Sequence, residues 1–298
     1  MTLRRSTKIS FARVAAFTCL LTFYSLTTAV QHAGASDKRK EDTPPTLASM
    51  DYCADQYILA LADKDQILAL STEATSVYSL FREQAAGIPQ LRGTSEDMLA
   101  LSPDIVVWQW KGSPAIDHLF GRADITSISV PFAGSPQAAL DSLIAFGDRI
   151  GRGNEARTYV AARYAMQEKL NSLPASGLKA LYITPSGYTA GGGTSVDAII
   201  RSAGLETMAA DYALHGWHPL PMELIVQAAP DVIITSFFDL PAPPSRWSLA
   251  QSPHIRDLLA DLPVINLPAD YLSCNGLFDI DAAYFIREQA QEMRLLED

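Results

Sequence analysis

Basic residues are scarce in this sequence. Its 23 lysines and arginines face 33 aspartates and glutamates, for a formal net charge of −10, and that balance repels a polyanion and excludes nucleic acid as a partner. Long apolar runs are missing beyond the first 35 residues, so no later segment reads as a membrane span. No Gly-x-Ser-x-Gly marks a hydrolase nucleophile. No Gly-Lys-Ser/Thr follows a glycine-rich loop to form a P-loop. Gly191-Gly192-Gly193-Thr194 comes nearest to a phosphate cradle, but Val196 stands where a dinucleotide fingerprint has its third glycine, and the loop reads equally well as a close backbone approach followed by a Thr194-x-x-Asp197 cap. Asp51 and Asp55, one helical turn apart, read as a helix start as readily as an acid/base pair.

What is present begins with a leader. Arg4, Arg5, Lys8 and Arg13 precede or open the apolar run Val14 to Leu26, and Ala33-Gly34-Ala35 offers a small-residue cleavage site. The run is broken by Thr18, Thr22 and Ser25 and falls short of the roughly 20 residues a bilayer span needs. Residues 1–35 are therefore expected to be a cleaved signal peptide, leaving a mature chain with a net charge of about −14. Residues 36–45, with Lys38-Arg39-Lys40-Glu41-Asp42 and two prolines, have no apolar period and read as a flexible tether.

From Thr46 onward, short apolar runs alternate with helical patterns. Strands are expected at Thr46–Met50, Ile67–Leu70 and Ile105–Trp108, with a helix at Cys53–Ala62. Helical spacing recurs through Leu140–Ile150 and again through a long segment, Glu155–Leu173. The alternation then restarts with strands at Ala180–Thr184, Asp231–Thr235 and Val264–Leu267, and helices at Ser195–Ala203 and Ala282–Leu296. This predicts two α/β lobes, each of three layers, over residues 46–150 and 174–298, joined by one long helix over 151–173.

A repeat supports that division. Glu96 to Val107 reads EDMLALSPDIVV, and Glu223 to Ile234 reads ELIVQAAPDVII. In each, a helix of under two turns is stopped by proline, which disfavours helical geometry at the residue before it. Pro-Asp then leads into a buried parallel strand. Thr94-x-x-Asp97 forms a capping pattern that places Glu96 in the first helical turn.

Taken in order, Ser49-Met50-Asp51-Tyr52-Cys53-Ala54-Asp55-Gln56, Gly93-Thr94-Ser95-Glu96…Pro103-Asp104, the long helix, Gly191-Gly192-Gly193 and Glu223…Pro230-Asp231 resemble the substrate-binding proteins of ABC importers. The resemblance is to the helical-backbone class that serves ferric siderophores, haem and cobalamin, and it runs over nearly all of Thr46 to Leu296. It implies a periplasmic, monomeric solute receptor without cofactor, binding in a cleft between the lobes. It also implies that Glu96 and Glu223 dock with arginines of the permease that works with the transporter ATPase. The same fold also serves signalling domains, and an exported enzyme using the Gly191–Gly193 loop is the more distant alternative.

In such a fold the ligand meets the loops that leave the carboxyl ends of the strands. Those loops carry Trp108, Trp110, Tyr188, Trp217, Asp270 and Tyr271, the expected ligand-binding set. Aromatics suit a large flat macrocycle such as cobalamin. A ferric siderophore competes, because an anionic chelate would recruit basic residues such as Lys111, Arg82 or Arg246. His215 and His218 lack the further ligands of a metal site and read as polar rim residues. With Cys19 in the leader, Cys53 and Cys274 have only each other as intramolecular partners in an oxidising compartment. Whether they pair depends on a Cα separation that sequence does not show.

Overall fold

The computed structural model describes residues 43–109, 114–220, 230–238, 260, 262–274 and 276–297. The leader, Trp110, Lys111, Glu223 and Arg246 lie outside the described residues.

Short, mostly apolar segments form the strands of the first lobe. These are β1 (Leu47–Ser49), β2 (Ile67–Ser71), β3 (Gln90–Leu91), β4 (Ile105–Trp108) and β5 (Thr126–Ser129). All pair in parallel, in the order β3-β2-β1-β4-β5. Helices α1 (Tyr52–Leu61), α2 (Ser95–Leu101), α3 (Pro114–Arg122) and α4 (Pro136–Arg149) belong to the same lobe. Alternation along β4 builds two cores: Ile105 and Val107 join α1 and α4 on one face, while Val106 and Trp108 join Met98 and Phe120 on the other. β5, with the sequence TSIS and Ile128 as its buried residue, carries too little apolar signal to be read as a strand from sequence.

The second lobe repeats the plan with β6 (Lys179–Ile183), β8 (Glu206–Thr207), β10 (Val232–Ser236) and β11 (Val264–Leu267), parallel in the order β11-β10-β6-β8. Two further strands, β7 (Tyr188–Ala190) and β9 (Trp217–Pro219), make an antiparallel ribbon. Helices α6 (Ser195–Ser202), α7 (Met208–Asp211) and α8 (Asp279–Glu292) complete the lobe.

The Pro-Asp repeat sits where the sequence places it, and its aspartates have a further use. Thr94 Oγ1 accepts the Asp97 N–H at 3.1 Å, starting α2. The helix ends with Ser102 in the left-handed region, φ 50°, immediately before Pro103. The Asp104 carboxylate then accepts the Thr46 N–H at 2.9 Å and the Thr46 hydroxyl at 2.7 Å, clamping the start of β4 to that of β1. In the second copy Asp231 accepts the Lys179 N–H at 2.7 Å, joining the starts of β10 and β6. Each aspartate thus satisfies a strand-end amide that the parallel ladder leaves open.

Between the lobes runs α5 (Gly153–Ser172), 20 residues, about 30 Å at 1.5 Å per residue. Ala156 and Val160 are buried in the first lobe's larger core and Leu170 in the second lobe's core, so one helix is anchored at both ends. Gly147 makes its packing on α4 possible, since a Cβ there would lie 2.5 Å from that of Ala156. The chain also crosses between the lobes a second time. After β11, residues Cys274, Leu277, Phe278 and Ile280 are buried in the first lobe's core, and Phe278 meets Phe81 edge to face at 5.6 Å. Cys274 forms a disulfide with Cys53, with a Cα–Cα distance of 5.5 Å.

Candidate functional site

The carboxyl ends of both parallel sheets carry the candidate site. In the first lobe Asp51, just beyond β1, caps α1 by accepting the Ala54 N–H at 2.9 Å, and its other oxygen takes the Gln109 N–H at 2.6 Å just beyond β4. One carboxylate thereby fixes two neighbouring strand ends. The chain leaving β2 presents Val77 and Tyr78, and the chain leaving β5 presents Phe132, which is 61 % exposed. In the second lobe, exposed Tyr188 opens β7 just after β6, and Trp217, 50 % exposed, opens β9. Pairing of Ala190 with Trp217 places Tyr188 and Trp217 on the same face of the ribbon. The Trp217 ring also meets the buried Tyr182 ring at 6.0 Å.

The expected ligand set divides in this structure. Tyr188 and Trp217 are surface aromatics. Trp108 is a core side chain, 4 % exposed and 6.1 Å from Phe120, because the alternation of β4 turns it to the helix side with Val106. Among the described residues its buried Nε1 has no partner. Asp270 and Tyr271 fall on the short 3-10 turn Ala269–Leu272 that follows β11. The Asp270 carboxylate is almost fully covered and meets Arg82 Nη1 of the first lobe at 2.5 Å. Tyr271, half-buried, packs against the cores of both lobes and stacks on Phe285 at 5.4 Å. Burial, aided by the nearby Asp270 charge, holds its phenol above the ordinary tyrosine range.

Further bonds cross at the same level. The Tyr52 hydroxyl donates to Ser273 O at 3.0 Å, and the Ser273 hydroxyl lies 2.6 Å from Tyr78 O. Gly276, at φ +80°, passes so close to Ser135 that a Cβ would lie 2.9 Å from its carbonyl oxygen. On α5, Arg163 pairs with Asp281 of α8 at 3.0 Å and lies 3.6 Å above the Tyr159 ring. Burial outweighs Arg163 at Asp281 and raises its pKa. Burial likewise pushes Asp55 up to about 6, although it accepts both the N–H and hydroxyl of Ser71, and pushes Asp279 up to about 6.

Sequence reading passed over Val77, Tyr78 and Phe132. The signal for the first two was their position just after the Ile67–Leu70 strand; Phe132 follows β5, which the sequence did not reveal. The first two amides of the glycine loop are already engaged. Gly191 N–H donates to Gly216 O and Gly192 N–H to Leu214 O, each at 2.8 Å. A Cβ at Gly191 would lie 2.4 Å from Leu214 O, so these glycines serve close backbone pairing rather than a phosphate. His218 Nε2 lies 2.6 Å from His215 O, which occupies one ring nitrogen in a local turn. Among the described residues no group of three or more His, Cys, Asp and Glu side chains could hold a metal ion. Among them, too, no helix is long and apolar enough to cross a membrane.

Comparison with curated protein sequences returns no match. Similar solved structures include the heme-binding protein HutB of Vibrio cholerae, 18 % identical with a TM-score of 0.64, covering 82 % of this chain and 98 % of that one. The periplasmic heme-binding protein RhuT from Roseiflexus sp. RS-1, in apo form, is 20 % identical with a TM-score of 0.59, covering 84 % of this chain and all of that one. FhuD2 from Staphylococcus aureus is 12 % identical with a TM-score of 0.60, covering 84 % and 99 %. At these identities the likeness is one of fold. The family model described as periplasmic binding protein matches residues 47–240, more than half of the sequence. With two parallel-sheet lobes, a linking helix and aromatic loops at the sheets' carboxyl ends, the chain belongs to the periplasmic binding protein family and is a binding protein, not an enzyme.

Proposed function

We propose that the chain is an exported receptor that captures a metal chelate, a cobalamin or a ferric siderophore, between its lobes and hands it to an ABC importer. The observation that carries this reading is the set of exposed aromatics at the carboxyl ends of both sheets: Tyr78 and Phe132 from one lobe, Tyr188 and Trp217 from the other. Exposed aromatics contributed by both lobes suit a broad, weakly charged chelate, and each stacked ring buries on the order of 150 to 250 Å². Names of the structural neighbours bring haem in as a third candidate chelate. Residues 1–35 act as the signal peptide and place the mature chain in the periplasm. Glu96, exposed in the first turn of α2, and Glu223 contact the permease.

Titration with cyanocobalamin, haem and a panel of ferric siderophores, followed by tryptophan quenching and corrected for ligand absorption, tests the reading. Saturable submicromolar quenching by one class is expected, and flat titrations with every class would refute it.

A further inference from the structure

The Arg82–Asp270 pair is incomplete as it stands. Asp270 Oδ2 takes Arg82 Nη1 at 2.5 Å, while Oδ1 is buried and has no hydrogen-bond donor among the described residues. An acceptor in that position is costly to leave unmade. Arg82 also donates through Nη1 to Ser79 O at 3.0 Å. Among the described residues its Nε and Nη2 have no partner, and its side chain is 42 % exposed. The two residues come from opposite lobes, each on a segment that leaves the carboxyl end of a strand.

The carboxylate's segment is held firmly. The Ser273 hydroxyl bonds both Asp270 O at 2.9 Å and Tyr78 O at 2.6 Å, and Cys274 is locked to Cys53. The guanidinium is the freer member. Because Oδ1 is closed off from solvent, a ligand donor reaches it with a rearrangement of the side chains around it, among which the exposed Arg82 is free to change rotamer.

Resting on the chelate-receptor reading, we propose that Arg82 and Asp270 form a specificity pair that reads a carboxamide on the edge of the ligand. A carboxamide presents an oxygen to accept from Arg82 Nε–H or Nη2–H and an NH2 group to donate to Asp270 Oδ1. This satisfies the free donors of one residue and the orphaned acceptor of the other. A carboxylate edge has the oxygen but no proton for Oδ1, and it brings a like charge beside a carboxylate that Arg82 already neutralises. Sites built to hydrogen-bond an N–H discriminate strongly against analogues that lack it. The ligand class selected is therefore a chelate with an amide periphery, as in corrinoids, over one with a carboxylate periphery, as in haem or ferric citrate.

The test titrates the full chain with cyanocobalamin and with its isomeric monocarboxylic acids, in each of which one peripheral amide is hydrolysed. At least one acid is expected to bind at least ~10-fold more weakly than the parent. The near-isosteric Asp270→Asn, checked for a native circular dichroism spectrum, is expected to remove that isomer's penalty, and Arg82→Gln to weaken all corrinoid binding. Equal affinity of every acid and the parent overturns the proposal without reference to a variant, as does a penalty that survives Asp270→Asn. Tight capture of haem or ferric citrate with cyanocobalamin excluded also overturns it, while leaving the receptor reading standing. If a ferric hydroxamate binds instead, loss of at least ~10-fold in Asp270→Asn supports the pair and retained affinity overturns it. Binding of no chelate removes both readings together.

Discussion

The first and second lobes begin alike and finish differently. Each opens its central pair of parallel strands with the aspartate of a Pro-Asp, Asp104 on Thr46 and Asp231 on Lys179, and each has a single strand beyond that pair on one side, β5 or β11. The first lobe then completes its main core with Cys274, Leu277, Phe278 and Ile280 from the other end of the chain. Among the described residues, the second takes only Leu170 of the linking helix into its core from outside and carries an antiparallel ribbon bearing Tyr188 and Trp217. The shared part is scaffold, set by backbone hydrogen bonds at strand starts. The parts that differ lie at the opposite strand ends, where the first lobe is tied down by the returning chain and presents Tyr78 and Phe132 from single segments, while the second presents Tyr188 and Trp217 from a paired ribbon.

The strongest challenge to a functional equivalence of the lobes is at the two glutamates proposed to dock with the permease. Replacing Glu96 and Glu223 together by alanine is expected to abolish transport with ligand affinity unchanged. Each single replacement should produce a partial loss of similar size, because exposed charges steer association more than they add affinity. A double variant that still transports would remove the docking role.

Cutting the covalent tie separates the lobes next. Cys53→Ser/Cys274→Ser is expected to lower unfolding free energy by about 2 to 5 kcal/mol in denaturant titrations. An intact mass that does not rise by about 2 Da on reduction would show that no such bond forms in solution.

Two buried carboxylates, one per segment that meets in the first lobe, make stability depend on pH. Asp55 and Asp279 have folded pKa values raised from 3.8 to about 6, so the folded state holds their protons more tightly than the unfolded chain. Their contribution is fully present below about pH 4 and is lost as pH rises through about 6, on the order of 3 kcal/mol for each group. Melting curves should therefore show a carboxylate-linked gain from pH 7 to 5, flattened in Asp279→Asn. A Tm independent of pH in both proteins would contradict it.

The smallest effect sharpens the comparison of the clamps. Asp104→Ala removes two hydrogen bonds to Thr46 and Asp231→Ala removes one to Lys179. Losses of about 1 to 3 and about 0.5 to 1.5 kcal/mol are expected, in that order. Reversed magnitudes in urea unfolding would show that the two aspartates are not equivalent fixtures.

Much of the scaffold was legible because it rests on local signals. The buried strand at Ile105–Trp108 is a continuous apolar run, Val264–Leu267 is apolar apart from exposed Asn266, and α5 shows a long helical period. The capping of α2 by Thr94 follows from residue spacing alone. β5 was not legible because its residues are mostly polar, and β7 and β9 were not because a three-residue strand is defined by its partner. At the site, Tyr188 and Trp217 could be placed on loops from their glycine-flanked positions. The inward turn of Trp108 required the pairing register, and the meeting of Arg82 with Asp270 spans 188 residues of sequence. Contacts that distant are set by packing, which no local pattern records.

The insertion of Cys274, Leu277, Phe278 and Ile280 into the first lobe's core has a consequence for the order in which the molecule can fold. A chain emerging amino end first would assemble β1 to β5 with one part of their covering layer still missing. That layer arrives only after both sheets' strands have been laid down. Closing so distant a contact is slow, since the loop entropy must be met before the contact stabilises anything. The first lobe made is thus the last completed, and the segment leading into the final helix acts as the latch on the opening half of the protein.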